Sequence, residues 1–293
     1  MRKVEMARTT LQRHIQLLRC PVCGEAFAWS EPNSLVCSQR HCFDLSRQGY
    51  LHLLPGGTKA SKYDRSLFES RLAVHRAGCF APLLQAIQTA LESAFPGREA
   101  GLNILDAGCG EGSHLASLIE ALRRAGHQAM GVGLDIAREG IRVAAREYPG
   151  LIWCVADLAR SPLQERQFDV ILNILSPANY AEFDRLLNES GILIKVVPQP
   201  DYLHELRTAF YRQTEKADYT NQDVVHQFAK HFQLLASQPL RYSLQLEQSE
   251  LEHLIRMTPL SWQADEAQIQ RVVAAGLEQV TVDVLLLLGR ARG

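Results

Sequence analysis

Residues 102–112 constrain the fold of this chain more than any other stretch. Leu102 to Asp106 form a short apolar run that ends in an acid, as a buried strand does, and glycines follow at positions 108, 110 and 112. Glycine lets the backbone approach a ligand closely and adopt angles that other residues avoid. An apolar-periodic run from Leu115 to Leu122 then predicts a helix whose first amides point at the same place. The stretch therefore predicts a strand, a ligand-binding loop and a helix.

Two further apolar runs also lead into acids. Residues 129–134 precede Asp135, and residues 151–155 precede Asp157. Asp135 follows the glycine loop by the interval at which a carboxylate accepts hydrogen bonds from ribose hydroxyls. Three acids at one sheet edge indicate a nucleotide-type cofactor, although in the alternative reading Asp106, Asp135 and Asp157 cap helices. A dinucleotide fingerprint would need its third glycine at position 113, which is Ser113.

The rest of the chain alternates between strand and helix patterns. Because such alternation favours a parallel sheet between helices, we expect an α/β fold with a seven-stranded, Rossmann-like sheet and a terminal hairpin. Besides the three strands above, the pattern predicts strands at 168–174, 190–197, 234–246 and 280–289, and helices at 81–95, 247–257 and 265–275.

A cysteine cluster precedes this region. Cys20, Cys23, Cys37 and His41 have the spacing C-x2-C-x13-C-x3-H. Three thiolates and an imidazole complete the closed tetrahedral shell of a structural zinc ion. Cys42 is the alternative fourth ligand. We expect residues 1–58 to form a small zinc-binding module containing short strands at 35–37 and 50–54, residues 59–78 a linker helix, and residues 79–293 the cofactor-binding domain.

Charge is divided unevenly along the chain. Residues 1–82 contain twelve Lys and Arg against six Asp and Glu, a net charge of +6, whereas residues 83–293 carry −7. A positive segment suits a phosphate-bearing partner, although a solvated basic surface is the alternative. The candidate phosphate contacts are Arg40, Arg47, Lys59, Lys62, Arg65, Arg71 and Arg76.

The apolar runs exclude a membrane protein. None reaches the roughly 18 residues of a membrane span, and the basic N-terminus lacks the apolar core of a signal peptide. We therefore expect a cytoplasmic protein, in which seven cysteines serve metal binding or packing and not disulfides.

Four stretches together resemble the bacterial 23S rRNA (guanine-N1)-methyltransferases, some of which confer resistance to tylosin-type macrolides. These stretches are the cysteine module at 20–44, its continuation Gly49–Pro55, the loop Asp106–Gly112 and the late box Met257–Trp262. The loop by itself is similar to the first motif of S-adenosylmethionine (SAM)-dependent methyltransferases. The resemblance implies a homodimer that methylates N1 of a guanine in a hairpin loop of 23S rRNA. It also implies that the zinc-binding module, residues 1–58, serves RNA recognition.

The resemblance also implies a cofactor site, in which Asp157 lies where methyltransferases read the adenine amino group. The expected SAM-binding residues are Asp106, Gly108, Gly110, Glu111, Gly112, Ser113, His114, Asp135, Ile136, Asp157, Leu158 and Asn173. His114 is either near the reaction or a packing residue.

Guanine N1 carries a proton that must be removed before or during transfer. Asn173, Ser176 and Asn179 are candidates for orienting the base, but none is a strong base, so the proton acceptor is left open. Candidate stacking residues are Tyr180, Phe183, Tyr202 and Trp262.

Two other functions share part of this pattern. A methyltransferase acting on a small molecule or a protein would use the same cofactor loop. A non-catalytic RNA-binding protein would retain SAM for structure alone. The zinc module with its positive segment argues against the first, and the complete set of cofactor acids argues against the second.

Overall fold

The computed structural model describes residues 3–56, 63–96, 101–211, 221–277 and 279–292. Lys59 and Lys62, two of the candidate phosphate contacts, lie outside them. The helices in the described residues are α1 (Lys3–His14), α2 (Arg65–Arg76), α3 (Ala81–Ala94), α4 (Ser113–Arg124), α5 (Arg138–Glu147), α6 (Tyr180–Leu186), α7 (His204–Tyr211), α8 (Gln222–His231), α9 (Gln248–Met257) and α10 (Glu266–Ala275). The strands are β1 (Phe27–Ser30), β2 (Ser34–Cys37), β3 (Cys42–Asp44), β4 (Leu51–His52), β5 (Leu102–Ala107), β6 (Ala129–Asp135), β7 (Ile152–Val155), β8 (Phe168–Ile174), β9 (Leu187–Pro198), β10 (Phe232–Leu244) and β11 (Val280–Ala291).

The main sheet has the strand order β10-β11-β9-β8-β5-β6-β7-β4. Strands β4 to β9 of this sheet run parallel, and β11 is antiparallel to both β9 and β10. The predicted α/β fold and its terminal hairpin are confirmed. Within the described residues the sheet has eight strands and not seven, because the residues predicted as a strand of the zinc module pair with β7 through Leu51 and Cys154.

Side chains alternate between two apolar cores, one on each face of the sheet. On β5, Ile104 packs with α3 and α4 on one face, whereas Leu105 packs with α1 and α6 on the other. Every residue of β8 is buried, which explains its nearly continuous apolar sequence. The carboxyl ends of the central strands are therefore held rigidly at one edge.

The N-terminal segment is joined to this core. Strands β1, β2 and β3 form a small antiparallel sheet. The chain before them bonds to the large sheet's connections, since Arg19 N donates to Pro162 O and Gln164 N donates to Leu17 O. Buried Leu11 and Leu35 belong to the same apolar core as Leu105. The zinc segment and the cofactor-binding region thus share one continuous core.

Helix α2 occupies most of the predicted linker. Asp64 caps it by accepting a hydrogen bond from Leu67 N at 2.9 Å. Its apolar face, which includes Phe68 and Leu72, is buried, and the helix packs against α9 and α5. None of the helices within the described ranges is both long and apolar enough to cross a membrane.

Candidate active site and zinc centre

A cavity of about 640 Å³ lies at the carboxyl ends of β5 to β9. The residues after β5, β6 and β7 form what we term the glycine-loop half: Gly108, Cys109, Gly110, Glu111, His114, Asp135, Ile136, Ala137, Asp157 and Leu158. The residues at the ends of β8 and β9, with segments packed over them, form the β8–β9 half: Ile174, Leu175, Ser176, Pro177, Lys195, Val196, Val197, Pro198, Tyr202, Val224, Met257, Thr258 and Pro259. Tyr63, Phe68, Arg71, His75 and Phe80 complete the wall.

The glycine loop meets the β8–β9 half at Gly108. Its φ of +87° is a left-handed conformation, and a Cβ there would lie 2.0 Å from Ser176 Oγ. Gly110 also has a positive φ, +56°, and lies in the cavity wall. Gly112 is not in the wall, because it packs behind the loop, where a Cβ would lie 2.4 Å from the Trp153 ring. Glycine is thus required at Gly108 because a Cβ would meet the Ser176 side chain, and at Gly112 because a Cβ would meet the Trp153 ring.

Asp135 braces the loop from the end of β6. One carboxylate oxygen accepts from Gly110 N at 2.8 Å and the other from Ala137 N at 2.7 Å. Burial raises the pKa of Asp135, and these amide hydrogen bonds and Arg71 oppose that rise. Asp157 lines the cavity and also accepts from Ala159 N at 2.8 Å. Asp135 and Asp157 therefore accept hydrogen bonds from backbone amides and also lie in the cavity wall.

Asp106 and Ser113 lie behind the wall and not in it. Burial, followed by the Glu111 and Asp135 carboxylates, raises the pKa of Asp106 to about 8. The Ser113 hydroxyl lies 3.1 Å from Tyr148 OH. Contact of either residue with a ligand in the cavity would therefore be indirect, through the loop that they support.

The glycine-loop half concentrates acids in a water-poor space. Burial raises the pKa of Glu111, and Arg71 lowers it. SAM carries two cationic groups, a sulfonium and an ammonium, so this donor set fits it chemically. With amides and carboxylates at the end of β6 for a ribose, Gly108, Gly110, Glu111, Asp135 and Asp157 are the residues that could hold the cofactor.

Arg71 lies in the cavity wall, although the sequence suggested a phosphate contact. Its guanidinium sits 5.5 Å from the centre of the Phe68 ring. Phe68, Arg71 and His75 follow one another at i, i+3 and i+7 on α2, so helical periodicity was the signal that they share a face.

His114 is a packing residue of the cavity wall. Its ring meets Phe80 edge-on at 5.2 Å and His75 at 5.7 Å. Burial, with the neighbouring His75 and Arg71, lowers the pKa of His114 to about 3. The imidazole is therefore neutral and a very weak base at physiological pH.

The three candidates after β8 have different environments. Ser176 lines the cavity. Asn173 is buried behind it, where its amide nitrogen donates to Ala107 O and Pro177 O, each at 3.0 Å. Asn179 does not line the cavity and instead caps α6 by accepting from Glu182 N. Of the three, Ser176 is the one placed where it can touch a ligand.

Lys195 is a functional candidate that the sequence reasoning missed. It is 4% exposed and lies near the carboxyl end of β9, where it lines the cavity. Its Nζ donates to Asn173 Oδ1 at 2.5 Å and to Ser176 O at 3.2 Å. Burial lowers the pKa of Lys195 to about 8. The available signal was a single cation inside the otherwise apolar run at 192–198.

The aromatic candidates separate into core and cavity residues. Phe183 is fully buried, and Tyr180 packs edge-on against it and stacks on His231 at 5.1 Å. These two are therefore core residues and not stacking platforms. Tyr202 lines the cavity. Trp262 is 42% exposed and meets Tyr63, a residue of the cavity wall, edge-on at 5.3 Å, which places an aromatic pair at the rim.

The zinc ligands converge in the N-terminal segment. The ligand atoms of Cys20, Cys23, Cys37 and His41 lie within 4.8 Å of one another. His41 Nδ1 is 3.5 Å from Cys20 Sγ and 3.3 Å from Cys37 Sγ, while the Cys23 and Cys37 sulfurs are 3.6 Å apart. Tetrahedral zinc bonds of about 2.3 Å to sulfur and about 2.0 Å to nitrogen give separations of about 3.8 Å and about 3.5 Å. The four residues therefore fit a zinc ion.

Cys42 is not part of that cluster. Its exposed thiol points to Asp44 Oδ1 at 3.9 Å, so the geometry selects His41 as the fourth ligand. The four-ligand shell is closed, which suits a structural role.

The remaining basic candidates are exposed. Arg40 and Arg47 lie on the zinc segment. Arg65 pairs with Glu69 at 2.8 Å, and Arg76 pairs with Glu147 at 2.7 Å. An arginine already paired with a carboxylate must exchange that partner to bind phosphate, so Arg40 and Arg47 are the stronger candidates.

Comparison with known proteins gives matches to the N-terminal cysteine segment and to the region with the glycine loop. A family model described as the N-terminal zinc ribbon of RlmA matches residues 18–62, and a methyltransferase domain model matches residues 104–194. The Bacillus subtilis protein YxjB, named as a 23S rRNA (guanine-N1)-methyltransferase, is 42% identical over 93% of this chain and 96% of its own length. A Streptomyces fradiae 23S rRNA (guanine(748)-N1)-methyltransferase is 32% identical over 94% of this chain and 97% of its own. A relative from Micromonospora griseorubida with the same type of name is 33% identical over the same shares.

Proposed function

Because this chain belongs to the family of 23S rRNA (guanine-N1)-methyltransferases, we propose that it transfers the methyl group of SAM to N1 of a guanine in 23S rRNA. The observation that carries this proposal is the joining, in one core, of a zinc ribbon and a cavity with a SAM-type glycine loop. When bound, SAM supplies an electrophilic methyl group on a positively charged sulfur.

The glycine-loop half would hold the cofactor. Asp135, which accepts hydrogen bonds from two amides, would bind the ribose, and Asp157, which lines the cavity after the next strand, would bind the adenine. Glu111 supplies negative charge near the cationic groups. Alignment by such fixed groups can provide on the order of 7–11 kcal/mol of barrier reduction.

The β8–β9 half would hold the guanine. A base in a hairpin loop can enter it without melting a duplex, which keeps the cost of extrusion low. The Tyr63–Trp262 pair at the rim offers aromatic surface for stacking, and Ser176 faces the cavity from below. Arg40 and Arg47 of the zinc ribbon are our candidates for contacts with the RNA backbone.

The division of labour follows the chain. We assign RNA recognition to residues 1–58, connection to 59–78 and methyl transfer to 79–293. Action as a homodimer in the cytoplasm is the expectation that the family resemblance supports.

The proposal is tested by incubating the protein with labelled SAM and 23S rRNA from a strain that lacks the gene, followed by reverse transcription. A methyl on N1 blocks Watson–Crick pairing, so we expect one strong stop at a single guanine together with label in the RNA. A parallel reaction without SAM must show no stop. Label that enters only protein or small molecules, or label in RNA without a stop, would contradict the proposal.

A further inference from the structure

Lys195 lies where few lysines are found, inside an apolar strand. Its ladder neighbours are Asn173 on β8 and Leu287 on β11, neither of which is charged. An ammonium in these surroundings loses the water that would stabilise its charge. The neutral amine is therefore a larger fraction of Lys195 than of a lysine in water. Lys195 is therefore a buried titratable group in the cavity wall.

The hydrogen bonds of Lys195 suit the neutral amine. A neutral amine has two N–H groups and one lone pair, and within the described residues Nζ has two hydrogen-bond partners, Asn173 Oδ1 and Ser176 O. Both partners are acceptors, so both N–H groups are used. Asn173 is itself fixed by Ala107 O and Pro177 O. The lone pair is then left for the cavity.

On the basis of the proposed function, we propose that Lys195 is the general base that removes the N1 proton of the target guanine. The N1–H bond breaks and its proton passes to the Lys195 lone pair. The electron pair left on N1 forms the new N1–CH3 bond, while the carbon–sulfur bond breaks and its electrons stay on sulfur, which becomes a neutral thioether. The ammonium of Lys195 later returns its proton to water.

Other titratable groups near this position are less suited to the task. Tyr202 lies in the cavity, and Tyr180 packs on the same sheet face as Lys195 and stacks on His231. Burial raises the pKa of both tyrosines to about 12. They remain protonated at neutral pH. His114, with its pKa lowered to about 3, is too weak a base. The pKa of Asp106, about 8, is similar to that of Lys195, but Asp106 lies outside the cavity wall.

The charged groups of the glycine-loop half belong to the cofactor end. Glu111 and Asp135 face one another and Arg71 there. In the β8–β9 half, the titratable residues among those described are Lys195 and Tyr202. A proton acceptor in the β8–β9 half can reach the guanine, whereas the carboxylates of the other half are assigned to the cationic groups of the cofactor.

The test measures single-turnover methylation of a 23S rRNA transcript at saturating SAM between pH 6 and 10. A lysine base is active when deprotonated, so the wild-type rate should rise about tenfold per pH unit and level off near pH 8. Lys195→Met should lower the rate at pH 8 about 10²- to 10⁴-fold and remove the inflection, with unchanged SAM affinity. Because Asp106 also titrates near pH 8, this difference between the two proteins assigns the inflection.

Two further variants separate a base from a fixed charge. Lys195→Arg keeps a cation but cannot give up its proton, so it should be as inactive as Lys195→Met. Lys195→Ala removes a propylamine, and added propylamine should restore activity in proportion to its unprotonated fraction, whereas propylguanidinium should not. SAM binding and zinc content establish that each variant is folded.

The outcomes are distinct. An active Lys195→Arg, a wild-type rate that falls above pH 8, or an unchanged pH profile in Lys195→Met would overturn the assignment of the base. Wild-type protein that does not methylate 23S rRNA at all would instead overturn the proposed function. If Lys195→Met fails to fold, the wild-type profile and the amine rescue of Lys195→Ala still decide the question.

Discussion

The two halves of the cavity differ in polarity: one is lined by charged and amide groups, the other mostly by apolar side chains. The glycine-loop half presents backbone amides and the carboxylates of Glu111, Asp135 and Asp157, with Arg71 beside them. The β8–β9 half presents mostly aliphatic side chains, together with Ser176, Tyr202 and Lys195. The first is suited to a polar, cationic cofactor that must be held in one orientation. The second is suited to removing water from a flat, neutral nucleobase.

This contrast explains why the same burial has different consequences on the two sides. Among the neighbouring acids of the glycine-loop half, burial and repulsion between carboxylates raise the pKa, as at Asp106, and amides and Arg71 limit the rise at Asp135. In the apolar half, burial lowers the pKa of Lys195 to about 8, which is close to neutral pH. Electrostatics therefore serves binding in one half and proton transfer in the other.

The largest effect is expected where the two halves meet. Gly108→Ala introduces a Cβ 2.0 Å from Ser176 Oγ at a residue with a φ of +87°. Left-handed strain adds about 1–2 kcal/mol to the clash. We expect SAM affinity to fall about 100-fold or more, measured by calorimetry, with loss of methylation.

Gly150→Ala is the matched control, because a Cβ there meets nothing within 4 Å. It should leave SAM affinity unchanged. Adding Ser176→Ala to Gly108→Ala should recover part of the lost affinity. Full SAM affinity in Gly108→Ala would mean that the halves do not meet as described.

A smaller effect, confined to the glycine-loop half, is expected for Asp135→Ala. It removes a carboxylate that accepts from Gly110 N and Ala137 N and that we assign to the ribose. Hydrogen bonds to charged groups contribute about 1.5–3 kcal/mol, so SAM affinity should fall about 10- to 100-fold. Zinc content should not change, and at saturating SAM the pH inflection assigned to Lys195 should persist.

Glu189→Gln, a change at an exposed carboxylate, is the control for loss of negative charge. If Asp135→Ala instead shifts the pH inflection while SAM affinity is unchanged, Asp135 acts on proton transfer and the two halves are not separate.

The sequence predicted the glycine-loop half far better than the β8–β9 half. Strand ends, glycines and acids follow one another locally, so Gly108, Asp135 and Asp157 could be placed from the pattern. Lys195 was missed, and the position of Arg71 in the cavity wall was not foreseen, because both depend on which face of an element packs against a distant one. Asn179 was misplaced because a helix cap and a ligand contact use the same amide.

The fold shows the same division. The main strands and the terminal hairpin were predicted because their apolar runs are long. Strand β4 has two residues, too few for an alternation of side chains, and its parallel pairing with β7 joins segments about a hundred residues apart. The resulting union of the zinc ribbon with the large sheet was not visible in the sequence pattern.

The smallest effect is expected at the rim of the cavity. Trp262 is 42% exposed and packs edge-on against Tyr63, so it offers ring surface to a base at the rim. Stacking of a base on an aromatic ring contributes about 1–3 kcal/mol, so Trp262→Ala should weaken RNA binding about 5- to 100-fold in a filter-binding assay. Trp262→Phe should retain most of the affinity because it keeps an aromatic surface, and Leu235→Ala, at an exposed apolar residue of β10, should change nothing. Neither variant of Trp262 should alter SAM affinity, because the rim contributes to the half that receives the base. A loss of SAM binding with intact RNA binding would place the rim with the glycine-loop half and remove the separation on which the contrast depends.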